Sequence, residues 1–147
     1  MKRFVFLVSF LSMIFSLASC SSANNEMDYT AFLALLTKHG YSYQELEEPL
    51  VLGTVFSASA EKPIVVGNDF LFVWEFDTNE LVENNAELVR KDGYAVENKN
   101  FSWTHGPPHF FKKDRIIVMY QGVNEQMIDF LAEFLGDPFA GARAAAG

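Results

Sequence analysis

Residues 110–120 read Phe-Phe-Lys-Lys-Asp-Arg-Ile-Ile-Val-Met-Tyr, and no other stretch of the chain constrains the fold so strongly. Apolar residues on both sides of a short polar centre predict a β-hairpin that turns at Lys113-Asp114. Ile116 to Val118 follow one another without alternation, so the second strand is apolar on both faces. A strand of this kind is buried on both sides. We therefore predict that it lies centrally in a sheet that helices or another layer cover.

A second hairpin is predicted upstream of the first. Pro63–Val66 and Phe70–Phe76 are apolar runs, and the turn-forming residues Gly67-Asn68-Asp69 separate them. Alternating or β-branched patterns also predict short strands at Tyr41–Leu46, Gly53–Ser59 and Phe101–Thr104.

The first and last helices have clear capping signals. Asp28 can cap a helix over Tyr29–His39, and Gly40 follows it. Asn124 precedes an apolar stripe of helical period that stops at Gly136. Both segments are therefore predicted to pack one face on the sheet.

A helix between these two completes the expected set. Asp77 is its predicted N-cap, Glu80 stands in the capping-box position, and Arg90-Lys91 form a positive last turn before a glycine. Because tight hairpins exclude an all-parallel sheet, the order of elements predicts a single small α+β domain. We expect a mostly antiparallel sheet packed by about three helices over residues 28–139, and a disordered tail of small residues over 140–147.

The first 20 residues have the pattern of an export signal. Lys2 and Arg3 precede an apolar run over Phe4–Leu17, and Leu-Ala-Ser-Cys ends at Cys20. This site resembles the lipobox of bacterial lipoproteins. The resemblance implies removal of a signal peptide (residues 1–19), diacylation of Cys20 and a lipidated tether over residues 20–27.

Two other interpretations of this segment stay open. The first is a transmembrane anchor. Such an anchor needs about 20 apolar residues, whereas Ser9, Ser12 and Ser16 interrupt this run. Secretion without a lipid is the other, although Cys20 is the only cysteine and occupies the position that acylation requires. We expect a domain on the extracytoplasmic side, at the outer face of the cell membrane or, in a host with two membranes, at the outer membrane.

The charge of the chain excludes some partners. Removal of residues 1–19 leaves nine Lys and Arg against nineteen Asp and Glu, a formal charge of −10. Such a surface repels nucleic acid and anionic head groups, so contact with the bilayer is expected through the acyl chains alone. With Cys20 acylated, no thiol is left for a disulfide, and stability must come from the apolar core.

Residues 103–115 contain the densest group of chemically versatile side chains. His105 and His109 flank Gly106-Pro107-Pro108, and two imidazoles on a rigid loop are weak candidate ligands for zinc or copper. The alternative is a turn that delivers Trp103 and Phe110 into the core and leaves the histidines at its rim.

The sequence contains few other signs of catalysis. It has no Gly-x-Ser-x-Gly elbow, phosphate-binding loop or dinucleotide-binding fingerprint, so we predict no catalytic residues, no cofactor and no enzyme. A serine could in principle pair with His105 or His109 in a hydrolase, although spacing cannot show that the groups meet. The candidate serines are Ser57, Ser59 and Ser102.

Two further surface features suggest binding. Lys112, Lys113 and Arg115 form one positive cluster that could meet a polyanion such as a wall polymer, or could keep a strand edge soluble. An aromatic pocket near Trp74 or Trp103 could hold a small ligand.

The segment from Ser102 to Gly122 resembles a group of short bacterial lipoproteins of uncharacterised function. The resemblance rests on Ser102-Trp103, Gly106 to Lys112, Arg115 to Val118, and Tyr120-x-Gly122. It implies lipid anchoring and a compact α+β domain and transfers no activity. The sequence thus predicts a membrane-anchored lipoprotein with a non-enzymatic role in binding or supporting another envelope component, possible partners being an envelope protein or a wall polymer. A metal-binding, small-ligand-binding or hydrolytic lipoprotein that uses the His105/His109 loop is the alternative.

Overall fold

A computed structural model describes residues 26–47 and 56–142 of the chain. The predicted signal peptide and Cys20 lie outside the described residues. Within these ranges, no helix is both long and apolar enough to cross a membrane. The helices are α1 (Tyr29–Lys38), α2 (Asn79–Ala86) and α3 (Glu125–Leu135). The strands are β1 (Tyr43–Glu45), β2 (Ala60–Val66), β3 (Asp69–Glu75), β4 (Ala95–Val96), β5 (Lys99–Asn100), β6 (Pro108–Lys113), β7 (Ile116–Gln121) and β8 (Ala140–Gly141).

Six of these strands form one sheet in the order β1-β2-β3-β7-β6-β8, and every neighbouring pair is antiparallel. β4 and β5 pair separately as a small ribbon. The sheet and the three helices confirm the predicted α+β class. All six residues of β7 are buried between β3 and β6, which confirms that the strand without alternation is central.

Both faces of the sheet are covered. On one face, α1 and α3 pack on the side chains of Ile116, Val118 and Tyr120. On the other face, Ile117 and Met119 pack with Val82 and Ala86 of α2 and with the segment around β4. Each fully buried aliphatic or aromatic side chain contributes about 1.5–3 kcal/mol. The apolar core on both sides of β7 therefore holds the layers together.

The ends of α1 and α3 follow the predicted capping residues. The Asp28 carboxylate accepts a hydrogen bond of 2.8 Å from the Ala31 N–H at the start of α1. At its end, Gly40 has a φ of +82°, and Gly40 N–H and Tyr41 N–H donate back to Thr37 O and Leu36 O in a Schellman arrangement. Asn124 and Gly136 cap α3, as the sequence predicts.

The prediction for α2 was wrong at both ends. Thr78 rather than Asp77 is the N-cap, because Asp77 accepts a 2.6 Å hydrogen bond from the Ser59 hydroxyl instead. The helix ends at Ala86, well before Arg90-Lys91. Beyond the helix, Val89 bridges Val96, and Arg90 N–H donates to Ala95 O. Pairing with the β4 segment therefore ends the helix early.

Two predicted strands need correction. Of Gly53–Ser59, residues 53–55 lie outside the described residues, and 56–59 are not in a strand: Phe56 packs its ring on Trp74 and Phe76 instead. Phe101–Thr104 is a loop. The Trp103 indole donates to Gly93 O at 2.8 Å, and this contact fixes the segment without a partner strand.

The hairpin turn and the limits of the domain also differ from prediction. Lys113 pairs with Ile116, so the turn consists of Asp114 and Arg115, with Asp114 at a φ of +44°. Ala140–Gly141 pair with β6, so the tail predicted over 140–147 does not begin at residue 140; residues 143–147 lie outside the described residues. Glu26 and Met27, predicted as tether, pack on the domain.

Candidate functional site

The sheet has two ends of different character. β3 and β7 run antiparallel, with Glu75 opposite Ile116 at one end and Phe70 opposite Gln121 at the other. We call the first the near end; it holds the Asp114-Arg115 turn and the first two described residues, Glu26 and Met27, which we call the incoming chain. The far end holds the β2–β3 turn (residues 67–68) and the loops over residues 105–107 and 122–124.

At the near end, backbone hydrogen bonds fix the incoming chain. Met27 N–H donates to the Asp114 carboxylate at 2.7 Å, and Arg115 N–H donates to Met27 O at 3.1 Å. The first described residues are thereby held against the β6–β7 turn.

Ion pairs strengthen the same contact. The half-buried Arg115 guanidinium lies 3.1 Å from Asp28, 3.3 Å from Glu75 and 3.5 Å from Glu26. One cation thus joins the incoming chain, the start of α1 and the end of β3.

The predicted basic cluster is mostly neutralised inside the domain. Arg115 has the three carboxylate partners just described, and Lys112 forms an ion pair with Glu83 of α2. Lys113 is exposed at the hairpin tip. Two of the three charges are therefore paired with acids of the same domain, which weakens the interpretation as a polyanion site.

A polar network closes part of the far end. The buried Tyr120 hydroxyl donates to the Asp69 carboxylate at 2.8 Å and accepts a 3.0 Å hydrogen bond from Asn124 N–H. The Asn124 side-chain amide donates to the other Asp69 oxygen at 3.0 Å. Burial raises the pKa of Tyr120 to about 12; the nearby Asp69 carboxylate adds to the rise, and the Asn124 N–H opposes it. The phenol is thus neutral at ordinary pH.

Local turn chemistry brings these groups together. Gly67, with a φ of +64°, occupies the first central position of a two-residue turn, where the hairpin geometry needs a positive φ and favours glycine. The turn places Asp69 at the first position of β3. Asn124 caps α3 by accepting from Gln126 N–H at 3.1 Å, and the same side chain donates to Asp69.

An open cleft of about 410 Å³ lies beside this network, and we call it the Asp69 cleft. It is lined by the end of α1, the β2–β3 turn and the start of α3. The lining residues are Gly40, Tyr41, Ser42, Val66, Gly67, Asn68, Asp69, Asn124 and Met127.

A second cleft of about 260 Å³ lies on the other side of the start of α3, and we call it the His109 cleft. His109 is 4% exposed, and its Nε2 lies 3.1 Å from Gly122 O. Because a carbonyl oxygen can only accept, Nε2 carries the proton in this contact. Exposed Val123 lies at the rim. The lining residues are Pro107, His109, Val123, Glu125, Ile128 and Ala142.

The two predicted histidines have different neighbours. His105 is exposed, and its ring stacks on Phe70 with centroids 4.0 Å apart, whereas the buried His109 ring stacks on Tyr120 at 5.9 Å. Across residues 26–47 and 56–142, no group of three or more His, Cys, Asp or Glu side chains could hold a metal ion. Of the pair, only His109 lines the second cleft.

Among the serine–histidine pairs that the sequence leaves open, the structure places Ser59 and His109 far apart. Ser59 N–H donates to Glu75 O and its hydroxyl donates to Asp77, both at the near end. His109 is opposite Tyr120 at the far end. Four residues of β7, about 13 Å, separate the two levels of the sheet. Ser57 is held near α2 by Asn85, and Ser102 is exposed in its loop.

The predicted aromatic pocket does not coincide with either cleft. Trp74 is 2% exposed and has Phe56 at a ring-centroid distance of 4.9 Å. Trp103 stacks on Phe101 at 5.3 Å and packs edge-on against Phe110. Both indoles therefore pack in the apolar core on the face of the sheet that α2 covers.

Sequence reasoning missed the Asp69 cleft. The sequence predicts Asp69 only as a turn residue and Asn124 only as a helix cap, whereas their side chains also form a hydrogen bond with each other. The residues are 55 positions apart, and no local pattern brings them together.

No protein-family model, no curated protein and no solved structure matches this chain. The resemblance to short bacterial lipoproteins therefore stays a prediction that rests on the sequence segments quoted above.

Proposed function

We propose that this protein is a bacterial lipoprotein, anchored through acylated Cys20 on the extracytoplasmic side of a membrane, and that its domain binds another component of the envelope without catalysing a reaction. The lipobox-like Leu-Ala-Ser-Cys segment supports the anchor. The acidic surface supports contact with the bilayer through lipid rather than through protein.

The hydrogen bonds that hold Met27 at the near end are the main structural support for this proposal. Only residues 21–25 separate Cys20 from Glu26. Even fully extended, this connection spans about 20 Å. A lipid on Cys20 would keep the near end close to the membrane. The Asp69 cleft and the His109 cleft would then open at the far end, away from that membrane.

The anchor is tested by intact mass. The full-length chain is expressed in a bacterium with two membranes, extracted in detergent and compared with Cys20→Ala and, as a matched control, Ser22→Ala. We expect loss of residues 1–19 and added diacylglycerol mass in the wild type and in Ser22→Ala, and neither change in Cys20→Ala. An unmodified wild-type chain would refute the anchor.

The binding role is tested by site-specific photo-crosslinking in intact cells. A photoreactive residue replaces Val123 at the far end or, as a control, Lys113 at the near end; both positions are exposed. We expect a discrete crosslinked product only from position 123. Crosslinks from position 113 alone would show that the far end is not the binding end.

A second candidate, small-ligand or metal binding, is favoured by one observation: a buried imidazole and the Glu125 carboxylate line the same His109 cleft. Elemental analysis of the purified protein and titration with Zn²⁺ or Cu²⁺ test its metal version, with His109→Gln as the variant. Stoichiometric binding that this variant abolishes would support it, and binding that the variant leaves unchanged would refute it.

A further inference from the structure

The lining of the Asp69 cleft restricts the charge of its ligand. Among the lining residues that the structure describes, Asp69 is the only charged one. This carboxylate would repel an anion, and so would the strongly acidic domain around it. A metal cation would meet a single carboxylate whose two oxygens already accept hydrogen bonds from Tyr120 and Asn124. The lining therefore disfavours an anion and a coordinated metal ion, and it can accept a neutral polar ligand.

The Asp69 carboxylate is held in an orientation in which it can accept further hydrogen bonds. Tyr120 and Asn124 hold its orientation, and each carboxylate oxygen has about two acceptor positions, of which one is used. Two hydroxyl donors could bind without rearrangement of the side chain. Charge-assisted bonds of this kind are about twice as strong as neutral ones.

The remaining lining supplies complementary groups. Ser42 and Asn68 are exposed and offer both donors and acceptors. Tyr41 adds an aromatic side chain, whose ring is supported by Phe130 at a centroid distance of 4.8 Å. Gly40 and Gly67 have no atom within 4 Å of the position of a Cβ, so a ligand could approach their backbone closely.

The size and position of the cleft complete the argument. A volume of about 410 Å³ falls in the range of ligand sites, about 300–1,000 Å³. The cleft is open at the surface, which suits one unit of a longer chain. It lies at the end of the sheet that the proposed anchor directs away from the membrane.

From these observations we infer that the Asp69 cleft binds a neutral, hydroxyl-rich saccharide unit of an envelope glycan. This inference rests on the proposed binding role and names the chemical class of the ligand. Asp69 accepts sugar hydroxyls, Asn68 and Ser42 contribute further hydrogen bonds, and Tyr41 contacts the apolar face of the ring.

The test uses the full-length protein, processed by its host, purified from membranes in detergent and checked by intact mass. Binding of soluble, uncharged oligomers of N-acetylglucosamine is measured by saturation-transfer NMR and calorimetry. We expect binding that falls at least tenfold in Asp69→Asn and severalfold in Asn68→Ala and Ser42→Ala. Asp137→Asn, an exposed carboxylate just after α3, serves as the matched control and should bind like the wild type.

Asn68 and Ser42 are exposed, so their variants keep the test valid where Asp69→Asn does not fold. Absence of binding, or binding that all three variants leave unchanged, would overturn the inference. Equal affinity for monomeric N-acetylglucosamine would identify a free sugar rather than a polymer as the ligand and would overturn the glycan assignment. A lipidated sample that crosslinks at position 123 but binds no oligomer would refute the saccharide and leave the proposed function intact.

Discussion

The near and far ends of the sheet are built from the same strands but differ in the polar contacts that their side chains make. At the near end, Arg115 joins three carboxylates and the β6–β7 turn holds Met27. At the far end, Tyr120 and Asn124 donate hydrogen bonds to the Asp69 carboxylate, and this network lies beside the Asp69 cleft and the His109 cleft.

The proposed function assigns a different task to each end. The near end fixes where the incoming chain meets the domain, and its charged groups are largely satisfied by one another. The far end orders its polar groups firmly and keeps some of their hydrogen-bonding capacity accessible. Under the proposed function, the domain would be held at the near end and would bind at the far end.

The largest effect is expected from Gly122→Ala, which breaks the far end. A Cβ at this position would overlap the Tyr120 hydroxyl and force the phenol away from Asp69. We expect a loss of about 3 kcal/mol in the free energy of unfolding, measured by urea denaturation. Gly40→Ala is the control, because its Cβ would enter open space and only the backbone strain of its φ of +82° remains, about 1 kcal/mol. Equal losses in the two variants would show that Tyr120 has room to move.

Arg115→Gln tests the near end. The substitution leaves Asp28, Glu75 and Glu26 without their cation, and we expect a loss of about 2 kcal/mol. The loss should shrink in 1 M NaCl, where the Debye length is about 3 Å. Hydrogen exchange at the Met27 amide should also accelerate. Lys113→Gln on the same hairpin should change stability by less than about 0.5 kcal/mol, and a similar loss there would argue against the ion-pair explanation.

Tyr120→Phe removes the far-end hydroxyl without changing the core packing. We expect a loss of about 1 kcal/mol at pH 7, since one hydrogen bond to Asp69 and one from Asn124 are lost. Because the folded pKa of Tyr120 is raised to about 12, its contribution is complete below about pH 10. It disappears as the pH rises from 10 toward 12. Unfolding curves of the two proteins should therefore converge in alkali, and a constant difference would contradict this assignment.

The smallest effect, and a stabilising one, is expected from Glu61→Gln in β2. Burial raises the pKa of the Glu61 carboxyl, and the indole of Trp74, its cross-strand neighbour, opposes part of the rise. Because the folded state binds the proton more tightly, stability falls as the pH rises through the folded pKa. We expect Glu61→Gln to have a higher Tm than the wild type at pH 7 and an equal one below about pH 4, where both states are protonated. Glu133→Gln, at an exposed position of α3, is the control for the loss of one negative charge.

Much of the fold could be predicted because its signals are local. The uninterrupted apolar residues of Ile116 to Val118 identify a strand with two covered faces, and β7 is central. Asp28, Asn124 and Gly136 occupy capping positions that depend only on neighbouring residues. The end of α2 could not be predicted, because the bridge between Val89 and Val96 competes with the helix.

The candidate site was harder to predict because its contacts are long-range. Met27 and Asp114 are 87 positions apart, and Asp69 and Asn124 are 55 apart. Asp114, Asp69 and Asn124 each have an ordinary local role as a turn or cap residue, and Met27 is predicted as part of the tether. The second role depends on the register of β3 and β7, which only the folded sheet determines.

The pairing of β3 with β7 also has a kinetic consequence. The β2–β3 and β6–β7 hairpins are local and can each form within about 1–10 μs, but Asp69 and Tyr120 are 51 residues apart. Closing this separation is an entropic cost that precedes any stabilising contact, so it is the expected slow step of folding. In a chain that emerges N-terminus first, from a ribosome or a translocation channel, the first hairpin has no partner strand until residue 121 has followed. The central pairing can therefore form only after most of the chain has emerged.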